Sequence, residues 1–114
     1  GRDLAFCFQE EAGFGALYTA IVRSMARGAA QHGARFRILL LPGKDDLAER
    51  AHAGRGYWED WCARRQAEGV DVVDLTPVLE RPVEELGAWF APQGHYNPAA
   101  SERVAQELAR RLTL

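Results

Sequence analysis

Apolar residues recur at helical spacing in two long stretches of the chain. In the first stretch they fall on one helical face and are Phe14, Leu17, Tyr18, Ile21, Val22, Met25, Ala26 and Ala29. Gly33 follows and suits a helix end. The second helix is predicted to begin at Asn97, because Asn is a good N-cap and Pro98 fits the first helical position. Its buried stripe is predicted to be Ala100, Val104, Leu108 and Leu112.

Three short apolar runs predict β-strands. They are "LAFCF" (Leu4 to Phe8), "FRILLLP" (Phe36 to Pro42) and "VDVVDL" (Val70 to Leu75). The middle run has no alternation, which is typical of a parallel strand covered on both faces. Between these runs we predict a short helix within "GKDDLAERAHAGRG", a helix with the apolar face Tyr57, Trp58, Trp61 and Cys62 that ends near Gly69, and a helical turn around Val83 to Leu86.

The order strand, helix, strand, helix, strand, loop, helix predicts the fold class. We expect an α/β domain with three layers, α-β-α, around a short parallel sheet of the flavodoxin-like or SGNH type. Three strands are fewer than the roughly five or six of a complete doubly wound sheet, so we expect an incomplete fold. The pattern contains no linker or repeat, and residues 1–114 are predicted to form a single domain.

Composition narrows the classes of function. The net charge of −2 gives no reason to expect nucleic acid or an anionic membrane as a partner. No apolar run approaches the roughly 18 residues that span a bilayer. The two cysteines, Cys7 and Cys62, are expected to be buried reduced thiols. Lys44 is the only lysine and alanine is abundant, a bias that suggests a bacterial genome rich in G and C. We expect a soluble bacterial protein, with the cytoplasm and the periplasm both open as its compartment.

His95 is the residue with the clearest potential for chemistry. It lies in the segment "APQGHYNP", just before the last helix. Ligands of such sheets bind at the carboxyl ends of the strands, and we expect the His95 loop to come near that edge. An imidazole there can take up and return a proton near neutral pH. A surface or capping role for the histidine is the alternative.

The segment "FAPQGHYNPAASERVAQELARRL" resembles the C-terminal block of SGNH/GDSL-type hydrolases and their O-acyltransferase relatives. "GARFRILLLP" and "GVDVVDLTPVL" also resemble strands of that family, so the resemblance covers roughly Leu17 to Leu112. It implies that His95 is the general base that deprotonates a serine, which then attacks an ester carbonyl. The expected activity is therefore that of a serine-type enzyme acting on small-molecule or carbohydrate esters.

The chain departs from the family pattern at three places. The family's Asp would fall at position 93 or 92, where this chain has Gln93 and Pro92. Gln93 is retained as a candidate catalytic residue because its oxygen can accept a hydrogen bond from the imidazole, and Asp74 is a second candidate partner. The Gly-Asp-Ser nucleophile block is missing, since the serines present, Ser24 and Ser101, lie within the two long helices. Asn97, the sole Asn, is better explained as a helix cap than as an oxyanion donor.

Two hypotheses follow, with a third at the level of fold. The chain is either the C-terminal half of an SGNH-type ester hydrolase or O-acyltransferase, or a non-catalytic α/β module that binds or assembles, as a homo-oligomer or with an N-terminal half-domain. A small signalling or nucleotide-binding domain is the third, although GxxxxGK[ST] is absent. We expect no cofactor and no metal, because the three histidines lack metal-ligand spacing. Tyr57, Trp58 and Trp61 either line a carbohydrate or acyl site or belong to the core.

Overall fold

The computed structural model describes Ala5, residues 7–9 and residues 13–112. The described helices and strands, in chain order, are α1 (Gly13–Gln31), β1 (Arg37–Leu40), α2 (Lys44–Ala53), α3 (Glu59–Ala67), β2 (Asp71–Asp74), α4 (Thr76–Leu79), a 3₁₀ helix (Val83–Trp89) and α5 (Pro98–Leu112). β1 and β2 form a two-stranded parallel sheet. The fold is therefore mixed α and β, and the described strands do not amount to the three-layer arrangement that the pattern predicted.

The prediction of an N-terminal strand is wrong for the residues of that run that the structure describes. Ala5, Cys7 and Phe8 have 3₁₀-helical geometry, whereas Leu4 and Phe6 lie outside the described residues. The ring of Phe8 instead packs on Tyr18 and Trp61, with ring centroids 5.6 and 5.4 Å apart. A short apolar run is buried equally well by such an aromatic cluster or by a sheet, and periodicity does not separate the two.

The chain divides into two compact units. The first contains the described residues up to Leu39 together with Tyr57–Val73, and its core joins α1 to α3. Trp61 is fully buried, and its indole N–H donates to the Thr19 hydroxyl at 3.0 Å. The buried Arg65 donates to the same hydroxyl at 3.1 Å and pairs with Glu68 at 2.8 Å. A buried polar network therefore fixes the register of α3 against α1.

Only half of the predicted apolar face of α1 is covered. Val22 is buried, whereas Leu17, Ile21 and Met25 are 55%, 48% and 54% exposed. β1 is likewise less covered than a central parallel strand would be, since Leu39 is 40% exposed. Two predictions are therefore wrong: the apolar face of α1 is not wholly buried, and β1 is not covered on both sides.

The second unit contains Leu40–Gly56 and the described residues from Asp74 onward. In it α2 packs against the 3₁₀ helix, and α4 packs against α5. Its buried apolar residues include Leu47, Leu75, Leu79, Leu86, Ala100 and Val104. This unit contains the carboxyl ends of both strands, where the N–H of Leu75 donates to the carbonyl of Leu40 at 3.0 Å. It also contains the whole segment around His95.

The last helix begins as predicted. The side-chain oxygen of Asn97 accepts a hydrogen bond from the N–H of Ala100 at 2.9 Å, and Pro98 is the first helical residue. Of the predicted stripe of α5, Ala100 and Val104 are buried and Leu108 and Leu112 are half-buried. Glu107, which was not part of the predicted stripe, is buried as well. Within the residues that the structure describes, no helix has the length and apolar character needed to cross a bilayer.

Candidate functional site

The segment that carries His95 is a tight hairpin-like turn. Phe90 and Tyr96 form an antiparallel bridge at its base. Inside the turn, the N–H of Ala91 donates to the carbonyl of His95 at 2.7 Å, and the N–H of Gly94 donates to the carbonyl of Ala91 at 2.9 Å. Gly94 has φ of 87°, a left-handed conformation that a side chain disfavours. The backbone of His95 is therefore held by local hydrogen bonds on both sides of the turn.

Asn97 ties the end of this turn to two helices. Its side-chain N–H donates to the carbonyl of Ala88 at 2.6 Å, and its backbone N–H donates to the carbonyl of Trp89 at 2.9 Å. Its side-chain oxygen caps α5 through Ala100. One residue thus joins the 3₁₀ helix, the turn and α5, which explains its position better than an oxyanion role does.

Tyr96 ties the turn to the edge of the sheet. Its hydroxyl donates to the carbonyl of Pro42 at 2.5 Å, and Pro42 follows the end of β1 by two residues. The rings of Tyr96 and Phe90 lie 5.4 Å apart, centroid to centroid. Burial raises the pKa of the Tyr96 hydroxyl to about 12, and the nearby Asp46 carboxylate adds to the rise. The hydroxyl is thus a protonated donor at neutral pH. Its bond to Pro42 places the turn near the carboxyl end of β1, as the sequence pattern predicts.

The segment that contains Pro42, the acceptor of the Tyr96 hydrogen bond, is held in place by the start of α2. The N–H of Gly43 donates to the carboxylate of Asp46 at 2.9 Å, which closes the first turn of α2. Pro42 is buried, while Lys44 and Asp45 are exposed. An acid at this helix start is favourable because the helix N-terminus carries partial positive charge. The sequence pattern predicts a short helix here, and α2 has ten residues.

His95 itself is exposed to solvent. Within the part of the chain that the structure describes, no side chain forms a hydrogen bond to its imidazole. Gln93 is also exposed and, among the same residues, does not bond to the ring. The structure therefore places both candidate residues on the surface of one turn, two positions apart in the sequence.

The other candidate partner, Asp74, has a different contact. It stands at the end of β2, and one of its carboxylate oxygens accepts the N–H of Thr76 at 2.9 Å. This interaction starts α4, in the manner of an Asx turn. Asp74 and His95 belong to the same unit, but no described contact joins them. An acid that orients the imidazole is thus not among the described contacts.

The two serines lie on helices, as the pattern predicted. Ser24 is exposed on α1, and Ser101 is exposed in the first turn of α5. The N–H of Ser101 donates to the carbonyl of Asn97 at 3.0 Å, as an ordinary helical bond. Neither serine is bonded to His95 within the described residues. The described part of the chain therefore presents the imidazole without a serine activated by it.

The remaining candidates are explained by packing. Trp58 and Trp61 are buried in the core, which confirms the interpretation of these two residues as core. Tyr57 is half-buried and packs on the rings of Phe8 and Trp58. Cys62 is buried and Cys7 half-buried, and both are free thiols. Among the described residues, no group of His, Cys, Asp or Glu is arranged to hold a metal ion. Among the described residues, the turn that carries His95 is the candidate site that packing alone does not explain.

Tyr96 has a structural role that the sequence pattern does not predict. Its hydroxyl makes the contact with Pro42 that connects the turn to the segment after β1. The signal available in the sequence is the pair of aromatic residues, Phe90 and Tyr96, that flank the turn symmetrically. The partner, a backbone carbonyl 54 residues away, has no signature in the sequence.

Comparison with known proteins gives one informative similarity. The chain is 28% identical over 97 residues to the probable alginate O-acetylase AlgJ of Pseudomonas aeruginosa, and the match covers 78% of this chain. It covers 25% of that protein, so the chain spans about a quarter of the length of the curated relative that it matches. No protein-family model matches the chain. No solved structure matches it either.

Proposed function

We propose that this chain is the part of an SGNH-type O-acyltransferase that carries the general base, His95, and that the acyl acceptor is a carbohydrate hydroxyl. The observation that carries the proposal is an accessible imidazole on a turn that is tied to the sheet edge through Tyr96 and to α5 through Asn97. Loops at the carboxyl ends of parallel strands are where such folds place their chemistry.

Two similarities support this reaction class. The "QGHYNP" block resembles the family's base motif, and the curated relative is a probable alginate O-acetylase. That name describes acetyl transfer to an oxygen of a polysaccharide, and we extend to this chain only the class, an acyl group moved to a sugar hydroxyl. Ester hydrolysis is the same chemistry with water as the acceptor.

In the proposed reaction His95 transfers one proton in each of two steps. A neutral imidazole removes the proton of a serine hydroxyl as its oxygen attacks the acyl carbonyl, and the imidazolium then protonates the departing alcohol. The resulting acyl-serine is attacked by the acceptor hydroxyl, whose proton passes to His95. As the bond between the acyl carbon and the serine oxygen breaks, the imidazolium returns that proton to the serine oxygen, so the serine and the neutral imidazole are both regenerated. We place that serine outside residues 1–114, since Ser24 and Ser101 are both helical. The exposure of His95 leaves it accessible to such a serine.

Gln93 is the proposed substitute for the usual carboxylate. Its amide oxygen can accept a hydrogen bond from one ring nitrogen, which would leave the other nitrogen to face the serine. A neutral amide does not stabilise imidazolium as a carboxylate does, and in a serine protease the corresponding Asp-to-Asn change costs about 10⁴ in turnover. We therefore expect a slow enzyme rather than an efficient esterase.

The test uses the full-length natural protein that contains this chain. Acetyl transfer from p-nitrophenyl acetate to uronate oligosaccharides, and hydrolysis of the same ester, would be compared for the unaltered protein, His95→Ala and His52→Ala. Loss of a general base should lower turnover about 10²-fold or more. His52 is the matched control because it is an exposed histidine on α2. Equal rates for His95→Ala and the unaltered protein would overturn the proposal.

A non-catalytic binding or assembly module is the second candidate. It is favoured by Gln93 at the position of the carboxylate and by the exposed apolar side chains of Leu17, Ile21 and Met25 on α1. This candidate predicts no acyl transfer in any variant. It also predicts self-association that Ile21→Glu disrupts, observed by light scattering at increasing protein concentration, with Ser24→Glu as the control on the same helix.

A further inference from the structure

The Tyr96 hydroxyl forms a hydrogen bond with a residue that is distant in the sequence. It donates to the carbonyl of Pro42 across 54 residues of sequence, at 2.5 Å. Pro42 is buried, and the residue after it begins the capped first turn of α2. The acceptor is therefore a backbone atom in a segment that is fixed on both sides, by β1 before it and by α2 after it.

We infer that Tyr96 is a positioning residue, whose hydroxyl fixes His95 relative to the carboxyl end of β1. The inference deepens the proposed function and rests on it for its catalytic consequence. Tyr96 directly follows His95 and is the residue of the turn that bridges to Phe90. Because His95 is covalently adjacent, a shift of the Tyr96 backbone shifts the backbone from which the imidazole extends.

The remaining contacts of the turn do not bond it directly to the segment after β1. The bonds from Ala91 to His95 and from Gly94 to Ala91 are internal to the turn and would move with it. Asn97 holds the turn to the 3₁₀ helix and to α5. Among the contacts described for the turn, the bond to Pro42 is the one that reaches the segment after β1. A general base needs hydrogen-bond reach of its partner, so the distance between the turn and this segment matters for its efficiency.

The ring and the hydroxyl of Tyr96 have separable tasks. The ring packs against Phe90, with centroids 5.4 Å apart, and a phenylalanine would keep this contact. The hydroxyl donates to the Pro42 carbonyl and, like any tyrosine, is protonated over the physiological range; burial raises its pKa further, to about 12. Tyr96→Phe therefore removes the anchor and leaves the packing, which makes it the informative substitution.

The experiment compares Tyr96→Phe with Tyr18→Phe in the full-length protein. Tyr18 is a half-buried tyrosine of α1 that also packs against aromatic rings, and it belongs to the other unit. Amide hydrogen exchange at Ala91 reports whether the turn has loosened, because this N–H is bonded to the carbonyl of His95. The imidazole signals of His95 in ¹H–¹³C NMR spectra report the position of the ring. Steady-state kinetics separate kcat from KM.

For Tyr96→Phe we expect faster exchange at Ala91, altered His95 ring signals and a fall in kcat of about tenfold or more with KM unchanged. Tyr18→Phe should leave all three readouts as in the unaltered protein. Unchanged exchange at Ala91 together with unchanged His95 signals in Tyr96→Phe would overturn the positioning role, whatever the activity. A loosened turn in a protein whose activity is insensitive to His95→Ala would instead refute the proposed function and leave the positioning role intact.

A second measurement applies if Tyr96→Phe does not fold. In the unaltered protein the hydroxyl proton of Tyr96 should exchange slowly with water, because it is held in a half-buried hydrogen bond to Pro42. A resolved hydroxyl signal with a contact to the α-proton of Pro42 is the expected result. Rapid exchange of that proton, at the rate of an exposed tyrosine, would contradict the anchor.

Discussion

The side-chain amide of Asn97 donates to the carbonyl of Ala88 at 2.6 Å while its oxygen accepts the N–H of Ala100. A single side chain thus forms hydrogen bonds with the Ala88 carbonyl near the end of the 3₁₀ helix and with the Ala100 N–H in the first turn of α5. Removing a cap costs about 1 kcal/mol, and a lost hydrogen bond adds a similar amount. We expect Asn97→Ala to lower the free energy of unfolding by about 2 kcal/mol, measured by urea denaturation.

The aspartate variant separates these two contributions. Asn97→Asp keeps an oxygen that can cap Ala100 but has no N–H for Ala88. Its loss of stability should be about half that of Asn97→Ala, on the order of 1 kcal/mol. Identical stability of all three proteins would show that the contacts of Asn97 do not stabilise the fold.

Gly94 should resist replacement because of its backbone conformation. Its φ is 87°, and a Cβ placed there meets nothing within 4 Å, so the cost of Gly94→Ala is conformational and about 1–2 kcal/mol. Gly28→Ala is the matched control, since Gly28 lies inside α1 and its Cβ would also meet nothing within 4 Å. That control should gain about 0.5–1 kcal/mol, as expected for a glycine removed from a helix interior. Thermal denaturation followed by circular dichroism measures both changes.

Gln93→Asp should increase the activity if His95 acts as proposed. The substitution restores a carboxylate two residues before the histidine, as in the family motif. We expect an increase in turnover of about tenfold or more, because a carboxylate stabilises the imidazolium that forms during the reaction. Gln93→Asn, which is also a neutral amide, is the control. A Gln93→Asp protein no faster than its Asn counterpart would remove Gln93 from the proposed site.

Thr19 should be sensitive to loss of its hydroxyl. This oxygen accepts hydrogen bonds from two buried donors, the indole of Trp61 at 3.0 Å and the guanidinium of Arg65 at 3.1 Å. Thr19→Val keeps the shape but leaves both donors without this acceptor, at a cost of about 2–4 kcal/mol. Thr19→Ser retains the oxygen and should lose much less. Urea denaturation of the two variants would show equal losses if the hydroxyl contributed nothing.

Glu107 should make the stability of α5 depend on pH in the acid range. Hydrogen bonds from Arg110 and then Arg111 lower the pKa of this carboxyl from 4.5 to about 2. Because the folded-state pKa is depressed, the contribution is fully present above pH 4.5 and is lost as the pH falls towards about 2. The stability difference between the unaltered protein and Glu107→Gln should therefore shrink across this window. A difference that is constant from pH 6 to pH 2 would contradict the ion pairs.

Local patterns in the sequence were sufficient for the elements with strong periodicity or distinct end signals. The helix from Gly13 to Gln31, the strands at Arg37–Leu40 and Asp71–Asp74, and the start of α5 agree with the predictions. Each of these rests on interactions within a few residues, such as the cap from Asn97 to Ala100. The predicted N-terminal strand failed for the described residues because its burial depends on distant rings, Trp61 among them.

The features of the candidate site can also be separated into those that the sequence indicated and those that depend on tertiary structure. The sequence alone indicated His95, the missing carboxylate at Gln93 and the cap at Asn97, because residue type and spacing carry that information. Only the tertiary structure decided that the turn is anchored by Tyr96 to Pro42, that His95 is exposed, and that half of the α1 face is uncovered. These features depend on which segments meet across long stretches of chain, and a backbone carbonyl such as that of Pro42 presents the same acceptor whatever its residue type.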